Sequence, residues 1–105
     1  MFYAASAFAD ATLVITSASS PVITTPVETD GYSMCLCQVS TPDGATATLT
    51  VEGSSTSTGP WNVMATLSFS GTATQYYSGV CPTWFRLNLS AVSGGTVNAT
   101  RELRK

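Results

Sequence analysis

The sequence contains no histidine and very few charged residues. Six acidic and four basic side chains make up 10% of its 105 residues, and the formal net charge is −2. Without histidine, the Ser–His–Asp and Cys–His arrangements of nucleophilic catalysis are excluded. The sequence also lacks a phosphate-binding glycine loop, so we expect neither a cofactor nor enzymatic activity. A small negative charge gives no general attraction to nucleic acid or to an anionic membrane, and neither is expected as a partner.

The six carboxylates show no spacing typical of an acid–base pair. Asp30 and Asp43 lie beside glycines, where turn geometry favours aspartate. Glu52 and Glu102 fall on the outward faces of predicted strands. A metal site is not expected either, because one close pair of cysteines and no histidine provide too few ligands.

Cysteine is scarce, and its number is odd. Cys35 and Cys37 are two residues apart in a strand-like run and point to one face, at a spacing that is poor for a disulfide. Cys81 could pair with one of them and leave the other free. We expect instead three buried or half-buried thiols, in a protein made in a reducing bacterial cytoplasm.

Long apolar runs are also missing, and no segment is long enough to span a bilayer. Ala-Phe-Ala before Asp10 resembles a signal-peptide cleavage site, but no basic residue precedes it, so we expect the segment to be retained. Residues 1–10 lack strict alternation and are interpreted as an N-terminal arm. The arm either covers the base of the domain or docks on a neighbouring subunit.

The pattern that is present has a period of two, and no stretch shows a helical period. Runs at 44–53, 61–69, 83–92 and 96–103 alternate apolar and polar residues, and serine and threonine together supply 31 positions, which suits strands. Alternation predicts a core that is formed by Leu49, Val51, Trp61, Val63, Leu67, Phe69, Phe85, Leu87, Leu89 and Val97.

Four further runs complete the predicted strand set, at 11–18, 22–27, 32–39 and 74–79. Pro26 makes the second of these an edge or irregular strand. The run at 32–39 is apolar on both faces, which predicts a central strand covered on both sides. Turn signals recur about every ten residues, and seven to eight antiparallel strands with this spacing predict a β-sandwich or jelly roll. Residues 11–105 are therefore expected to form one all-β domain.

Five aromatic residues could form a platform on which a sugar stacks. The alternative interpretation is that they fill the core, cover strand edges or form a subunit contact, in which aromatic residues are also enriched. These residues are Tyr32, Trp61, Tyr76, Tyr77 and Trp84.

One part of the chain resembles a known group of proteins. The stretch TATLTVEGSSTSTGPWNVMATLSFSGTATQYYSGV, followed by FRLNLSAVSGGTVNATREL, is similar to small all-β virion proteins of tailed bacteriophages. A strand that ends in Val-Glu-Gly-Ser, a polar loop, a tryptophan, an aromatic-Arg-x-Asn strand and a Gly-Gly turn carry the resemblance. It covers roughly residues 46–103, and the Ser/Thr-rich loop departs from the Asn-Asp-Gly turn often found in such proteins.

The resemblance implies a structural role on a virion. The expected function is that of a capsid decoration (cement) protein, which stabilises the head by bridging capsid subunits from the capsid surface. Its partners would be the major capsid protein and further copies of itself, and the resemblance implies a trimer. The alternatives are a carbohydrate- or receptor-binding module of a tail fibre or head fibre, and a neck or tail completion protein.

The two ends of the chain are the expected contact regions for such a role. The cluster of basic residues at the C-terminus is either a solvated end or a tail that pairs with an acidic neighbour. The predicted subunit contacts are Met1, Phe2, Tyr3, Phe8, Arg101, Arg104 and Lys105.

Overall fold

The computed structural model describes residues 9–105, which form nine β-strands and no helix. The strands are β1 (Ala9–Ala18), β2 (Val22–Ile23), β3 (Val27–Glu28), β4 (Met34–Thr41), β5 (Thr46–Ser54), β6 (Asn62–Ser70), β7 (Ala73–Val80), β8 (Trp84–Ser93) and β9 (Val97–Arg104). Each of the predicted runs contains a strand. The run at 22–27 is divided into β2 and β3, because the chain breaks from the sheet around Pro26.

The strands form two antiparallel sheets that pack face to face. Sheet A has the order β1-β9-β4-β7, and sheet B has the order β2-β8-β5-β6, with β3 also pairing with β8. The chain therefore alternates between the sheets so that its first and last strands are neighbours in sheet A. This interleaved order is that of a jelly roll. The predicted all-β sandwich is confirmed.

The core lies between the inner faces of the two sheets. β4 and β9 contribute Cys35, Val39 and Leu103, which are fully buried. Eight of the ten residues that alternation assigns to the core are buried there, and burial of each large aliphatic or aromatic side chain contributes about 2 kcal/mol. These eight are Leu49, Val51, Leu67, Phe69, Phe85, Leu87, Leu89 and Val97.

Val63 and Trp61 are the two residues for which the core prediction is wrong. The pairing of β5 with β6 shifts register between Val51 and Glu52, so Val63 pairs with Glu52 instead of continuing the inward row. Because a bulge inserts one residue, every side chain beyond it changes face. Val63 is consequently 58% exposed, and Trp61 is half-buried on the outer side of sheet B.

Two turns at one end of the sandwich are tied together by Asp43. Its carboxylate accepts hydrogen bonds from the backbone N–H of Thr96 at 2.9 Å and from the Thr96 hydroxyl at 3.2 Å. The first of these bonds is the main reason that the pKa of Asp43 lies below its usual value. A Cβ atom at Gly95 would lie 2.5 Å from the Asp43 Oδ1 atom, so glycine is required for this approach. The turn position predicted for Asp43 thus has a specific bonding role.

Candidate functional site

The outer face of sheet A exposes four large apolar side chains, which are Leu13, Met34, Tyr76 and Val80. Because Cys35, Cys37 and Val39 of β4 point into the core, the residues between them point outward. Strand pairing then aligns Leu13, Thr100, Gln38 and Tyr76 in one row across all four strands. We call the whole surface the outer A face; it comprises Leu13, Met34, Leu36, Gln38, Tyr76, Ser78, Val80, Thr100, Glu102 and Arg104.

The sequence predicted that β4 would be covered on both sides. Its central position is as expected, but no layer of the described residues covers its outer side: Met34 is exposed and Leu36 is only half-buried. Four strands of about eight residues span roughly 20 by 25 Å. A face of about 500 Å² is more than half of what one partner buries in an ordinary stable interface, which is about 800 Å². The outer A face is therefore large enough to form a contact surface.

The most exposed apolar side chains of this face lie on β7. Tyr76 is 66% exposed and Val80 is 79% exposed. Beside them, a shallow groove of about 320 Å³ runs across β7, β4 and β9; Leu36, Gln38, Ser78 and Thr100 are among its lining residues. The face combines an open aromatic ring with aliphatic, amide and hydroxyl groups. Such a mixture suits binding to protein or to a sugar, and it provides no pair of groups for acid–base catalysis.

The predicted contact residues of the C-terminus do not form one cluster. Arg104 lies on the outer A face, where its Nε atom donates to Glu102 at 2.6 Å. The Nζ atom of Lys105 lies 5.9 Å from the centre of the Tyr32 ring, at the limit of a cation–π contact. The other predicted contact residues, Met1, Phe2, Tyr3 and Phe8, lie outside the described residues.

Arg101 lies on the opposite side of β9 from Arg104. It pairs in register with Cys37 of β4 and shares the inward face of β9 with Val97 and Leu103. Its Nε atom is buried and has no hydrogen-bond partner among the described residues. Positions 97, 99, 101 and 103 have the same parity, so strict alternation would have placed this arginine inward. The side chain is half-buried, and its role as a subunit contact stays a prediction.

A polar cluster on the outer side of sheet B holds the start of β6 in place. The Glu52 carboxylate accepts hydrogen bonds from Arg86 Nε at 2.7 Å, from the Thr50 hydroxyl at 2.7 Å and from Asn88 Nδ2 at 3.1 Å. The guanidinium carbon of Arg86 lies 4.1 Å from the Trp61 ring centre. Glu52 was predicted to face outward; it does so, yet this cluster covers it almost completely.

The pKa of Glu52 shows that its bonds outweigh the cost of its burial. Removal from water raises the pKa, but the hydrogen bonds from Thr50, Arg86 and Asn88, with the positive charge of Arg86, hold it below its usual value. Glu52 is consequently ionised at neutral pH. All of its partners belong to the same face of the domain, so the carboxylate acts as a structural anchor and not as a proton donor.

The five aromatic residues do not form a common platform. Tyr76 lies on the outer A face, whereas Trp61 is stacked against Arg86 on sheet B. Tyr77 points inward, where its hydroxyl lies close over Gly79. Tyr32 follows β3 beside Lys105, and Trp84 begins β8 opposite Glu28. A sugar-binding site built from all five residues is therefore excluded by their positions.

The expectation of three free thiols is wrong. Cys35 and Cys81 form a disulfide, with their Cα atoms 5.0 Å apart, and Cys37 is free and buried. Cys81 comes directly after β7, which pairs with β4, so it lies beside Cys35 across the strand end. Burial raises the pKa of the Cys37 thiol to about 11, although a hydrogen bond from the Tyr77 backbone partly opposes this shift. Cys37 is therefore protonated and unreactive at neutral pH.

Two further depressions of the surface lie among the loops at one end. The larger, of about 340 Å³, lies beside Gly53, Asn62, Met64 and Pro82. A second, of about 250 Å³, lies beside Asp30, Tyr32 and Thr83. Within residues 9–105, no three His, Cys, Asp or Glu side chains come close enough to hold a metal ion. In the same part of the chain, no helix has the length and apolarity needed to cross a membrane.

Comparison with known proteins gives a fold but no family. No family model matches the sequence, and no curated protein matches it. The SPBc2 prophage-derived protein YomS superimposes with a TM-score of 0.70 at 9% identity, over 92% of this chain and 93% of YomS. The PBSX exported protein XepA superimposes with a TM-score of 0.69 at 12% identity, over 91% of this chain and 36% of XepA.

An adhesin domain has a similar fold. The K3 cleaved adhesin domain of Lys-gingipain from Porphyromonas gingivalis superimposes with a TM-score of 0.60 at 9% identity, over 90% of this chain and 73% of that domain. Identities this low show a shared architecture and nothing more specific. The chain is thus a jelly-roll domain of the same architecture as YomS, the adhesin domain and about a third of XepA.

Proposed function

We propose that the protein is a non-enzymatic structural component of a bacteriophage particle, and specifically a capsid decoration (cement) protein. The observation that carries the proposal is the outer A face, on which Leu13, Met34, Tyr76 and Val80 are exposed to solvent. Monomeric proteins rarely leave apolar side chains grouped in this way unless the surface is used for contact. On a capsid, this face would lie against the major capsid protein and bridge adjacent subunits.

Two further findings support this assignment. The fold is shared with the SPBc2 prophage-derived protein YomS and with part of the PBSX exported protein XepA, and residues 46–103 resemble virion proteins. Disulfides are stable outside a reducing cytoplasm, and a protein on the surface of a capsid is in such an environment after host lysis. The Cys35–Cys81 disulfide is consistent with this location. The protein would be made in the reducing cytoplasm of the host, and the Cys35–Cys81 bond would form by oxidation after the particle is released.

The contact itself would be a sum of many weak interactions. Apolar burial supplies about 25 cal/mol per Å², so a face of about 500 Å² provides useful but limited affinity for each copy. The N-terminal arm with Met1, Phe2, Tyr3 and Phe8, and the tail residues Arg104 and Lys105, remain proposed as additional contacts. Ala9 pairs with Arg104, so β1 begins beside the end of β9 in sheet A.

Binding to heads tests the proposal. Purified protein is mixed with mature heads of the encoding phage that were assembled without this gene, and bound copies are counted by quantitative mass spectrometry. We expect saturation at a fixed number of copies per head. Val80→Glu, on the outer A face, should weaken binding at least tenfold, because a charge is buried at the contact.

Val63→Glu is the matched control, since Val63 is also an exposed valine but lies on sheet B. It should bind as the unchanged protein does. Absence of saturable binding to heads would refute the cement assignment. Equal loss of binding for both substitutions would show that the outer A face is not the contact surface.

A second candidate function, a carbohydrate- or receptor-binding module of a fibre, is favoured by the groove beside Tyr76. An exposed aromatic ring next to Gln38, Ser78 and Thr100 could stack on a sugar while the polar groups bind its hydroxyls. Titration with host-surface oligosaccharides, followed by tyrosine fluorescence, distinguishes this role. Saturable binding that Tyr76→Ala abolishes, with no binding to heads, would favour the module over the cement protein.

A further inference from the structure

The two sheets have four edges, and three of them carry features that prevent pairing with another strand. Edge strand β1 has two register shifts and a positive φ of 46° at Ser17. The opposite edge of sheet B consists of the two-residue strands β2 and β3 around Pro26. Strand β6 contains a bulge between Val63 and Ala65. Bulges, proline and short length are the usual ways in which proteins protect sheet edges.

Strand β7 has none of these features. It pairs with β4 over eight consecutive residues, from Ala73 opposite Thr41 to Val80 opposite Met34, without a register shift. The strand contains neither a charged residue nor proline. Among the described residues, no strand pairs with its other side. A regular, uncharged and open edge exposes alternate backbone N–H and C=O groups, which can bind a further strand.

The inner side of β7 is already closed, so the open part of the strand is its backbone edge and outer side chains. Gln75 reaches across the sandwich, and its Nε2 atom donates to the Ser68 carbonyl of β6 at 2.6 Å. Tyr77 packs against the core, and its ring folds over Gly79. These contacts fix the strand in an extended form before any partner binds.

We propose that β7 pairs antiparallel with β7 of a second copy of this chain, across a two-fold axis that passes beside Tyr76. In such an isologous contact the strand meets a second copy of itself, so a charged residue at the two-fold axis would face a like charge, and a charge elsewhere on the strand would be buried twice in the joint. The absence of charge from all eight residues of β7 makes the strand compatible with itself. Two four-stranded sheets thereby become one sheet of eight strands.

The two faces of the strand limit the register. Residues directly opposite each other in an antiparallel pair project to the same side of a sheet, so outward residues must meet outward residues. Of the registers that satisfy this condition, the proposed one has Tyr76 opposite Tyr76 of the second copy and Thr74 opposite Ser78, because it brings the exposed aromatic rings together. An exposed aromatic pair forms at the centre of the joint, and aromatic cross-strand pairs stabilise sheets. The two outer A faces become one continuous surface.

This inference is independent of the particle to which the protein belongs, and it predicts two-fold association where the sequence resemblance implied a trimer. Sedimentation equilibrium of the full chain, over a wide range of concentration, should show a reversible monomer–dimer equilibrium. Tyr76→Lys puts two lysines opposite each other and should weaken the dimer at least tenfold. Thr66→Lys is the control, because Thr66 is an exposed, uncharged residue of edge strand β6 and should leave the dimer unchanged.

Disulfide trapping tests the register even if Tyr76→Lys disturbs folding. Directly opposite residues of antiparallel strands have Cα atoms about 4.5–5.5 Å apart, within disulfide range. Tyr76→Cys should therefore form a covalent dimer on mild oxidation, whereas Thr66→Cys should not. A chain that stays monomeric at all concentrations, or that forms trimers, overturns the inference. The inference is also overturned if Tyr76→Cys forms no covalent dimer and deletion of residues 1–8 abolishes association. In that case the N-terminal segment, and not β7, makes the contact.

Discussion

Replacing Glu52 with alanine removes three hydrogen bonds in a single step, and one of them is also the ion pair with Arg86. The side chain of Glu52 is 8% exposed and that of Arg86 is 19% exposed. Loss of one partner of a fully buried pair costs about 3–5 kcal/mol, and loss of one partner of an exposed pair costs about 0–1 kcal/mol. Because Arg86 keeps some access to water, we expect a loss of about 2–3 kcal/mol in the free energy of unfolding. For a domain of this size, that corresponds to a decrease in Tm of about 10–15 °C.

Urea denaturation followed by tryptophan fluorescence measures this loss, since Trp61 lies against the Arg86 guanidinium. Glu102→Ala is the matched control: it also breaks a Glu–Arg pair at short distance, but Arg104 is more than half exposed. The control should cost less than about 1 kcal/mol. Equal effects of the two substitutions would refute the conclusion that the Glu52 cluster anchors the outer side of sheet B.

Three more predictions follow from the burial and the pKa values. Phe85→Ala should lower the free energy of unfolding by about 3–5 kcal/mol. Val63→Ala shortens an exposed side chain and should change the free energy of unfolding by less than about 1 kcal/mol in the same urea assay. A large effect of Val63→Ala would contradict the outward position that the bulge gives to Val63. Cys37 should react with a thiol reagent far more slowly in the folded protein than in urea, and equal rates would disprove its burial. The pKa of Glu52 is lowered by folding, so its stabilising contribution is present above about pH 4.3 and is lost as the pH falls through the lower folded pKa. Acid titration should therefore destabilise the unchanged protein more steeply than Glu52→Gln, and parallel curves would exclude the Glu52 contribution.

The fold could be predicted because alternation depends on local sequence. A side chain on a regular strand must face one of two sides, and runs such as 44–53 and 83–92 keep one polarity on each side. The strands predicted at these two runs therefore agree with β5 and β8 of the structure. The order of strands within each sheet depends on contacts between residues distant in sequence. The sequence could therefore indicate a β-sandwich or a jelly roll without deciding between them.

The errors arose where one local irregularity changes the register. A bulge in β6 turns Val63 outward, and no residue type in that segment marks the inserted position. The Cys35–Cys81 bond joins residues 46 apart in sequence and depends on β4 lying next to β7. The orientation of Arg101, in contrast, could have been predicted. Strict alternation along β9 places it inward, but its charge suggested an exposed tail. The two apolar faces of 32–39 predicted a strand covered on both sides, whereas no layer of the described residues covers the outer side of β4.

The stability of heads tests the central claim most directly. Heads that were assembled without the protein are heated with and without the purified chain, and release of packaged DNA is followed with a dye that cannot enter intact heads. A cement protein that bridges capsid subunits should raise the temperature of DNA release, and Val80→Glu should lose this effect while Val63→Glu keeps it. An unchanged release temperature with the protein fully bound would contradict the account.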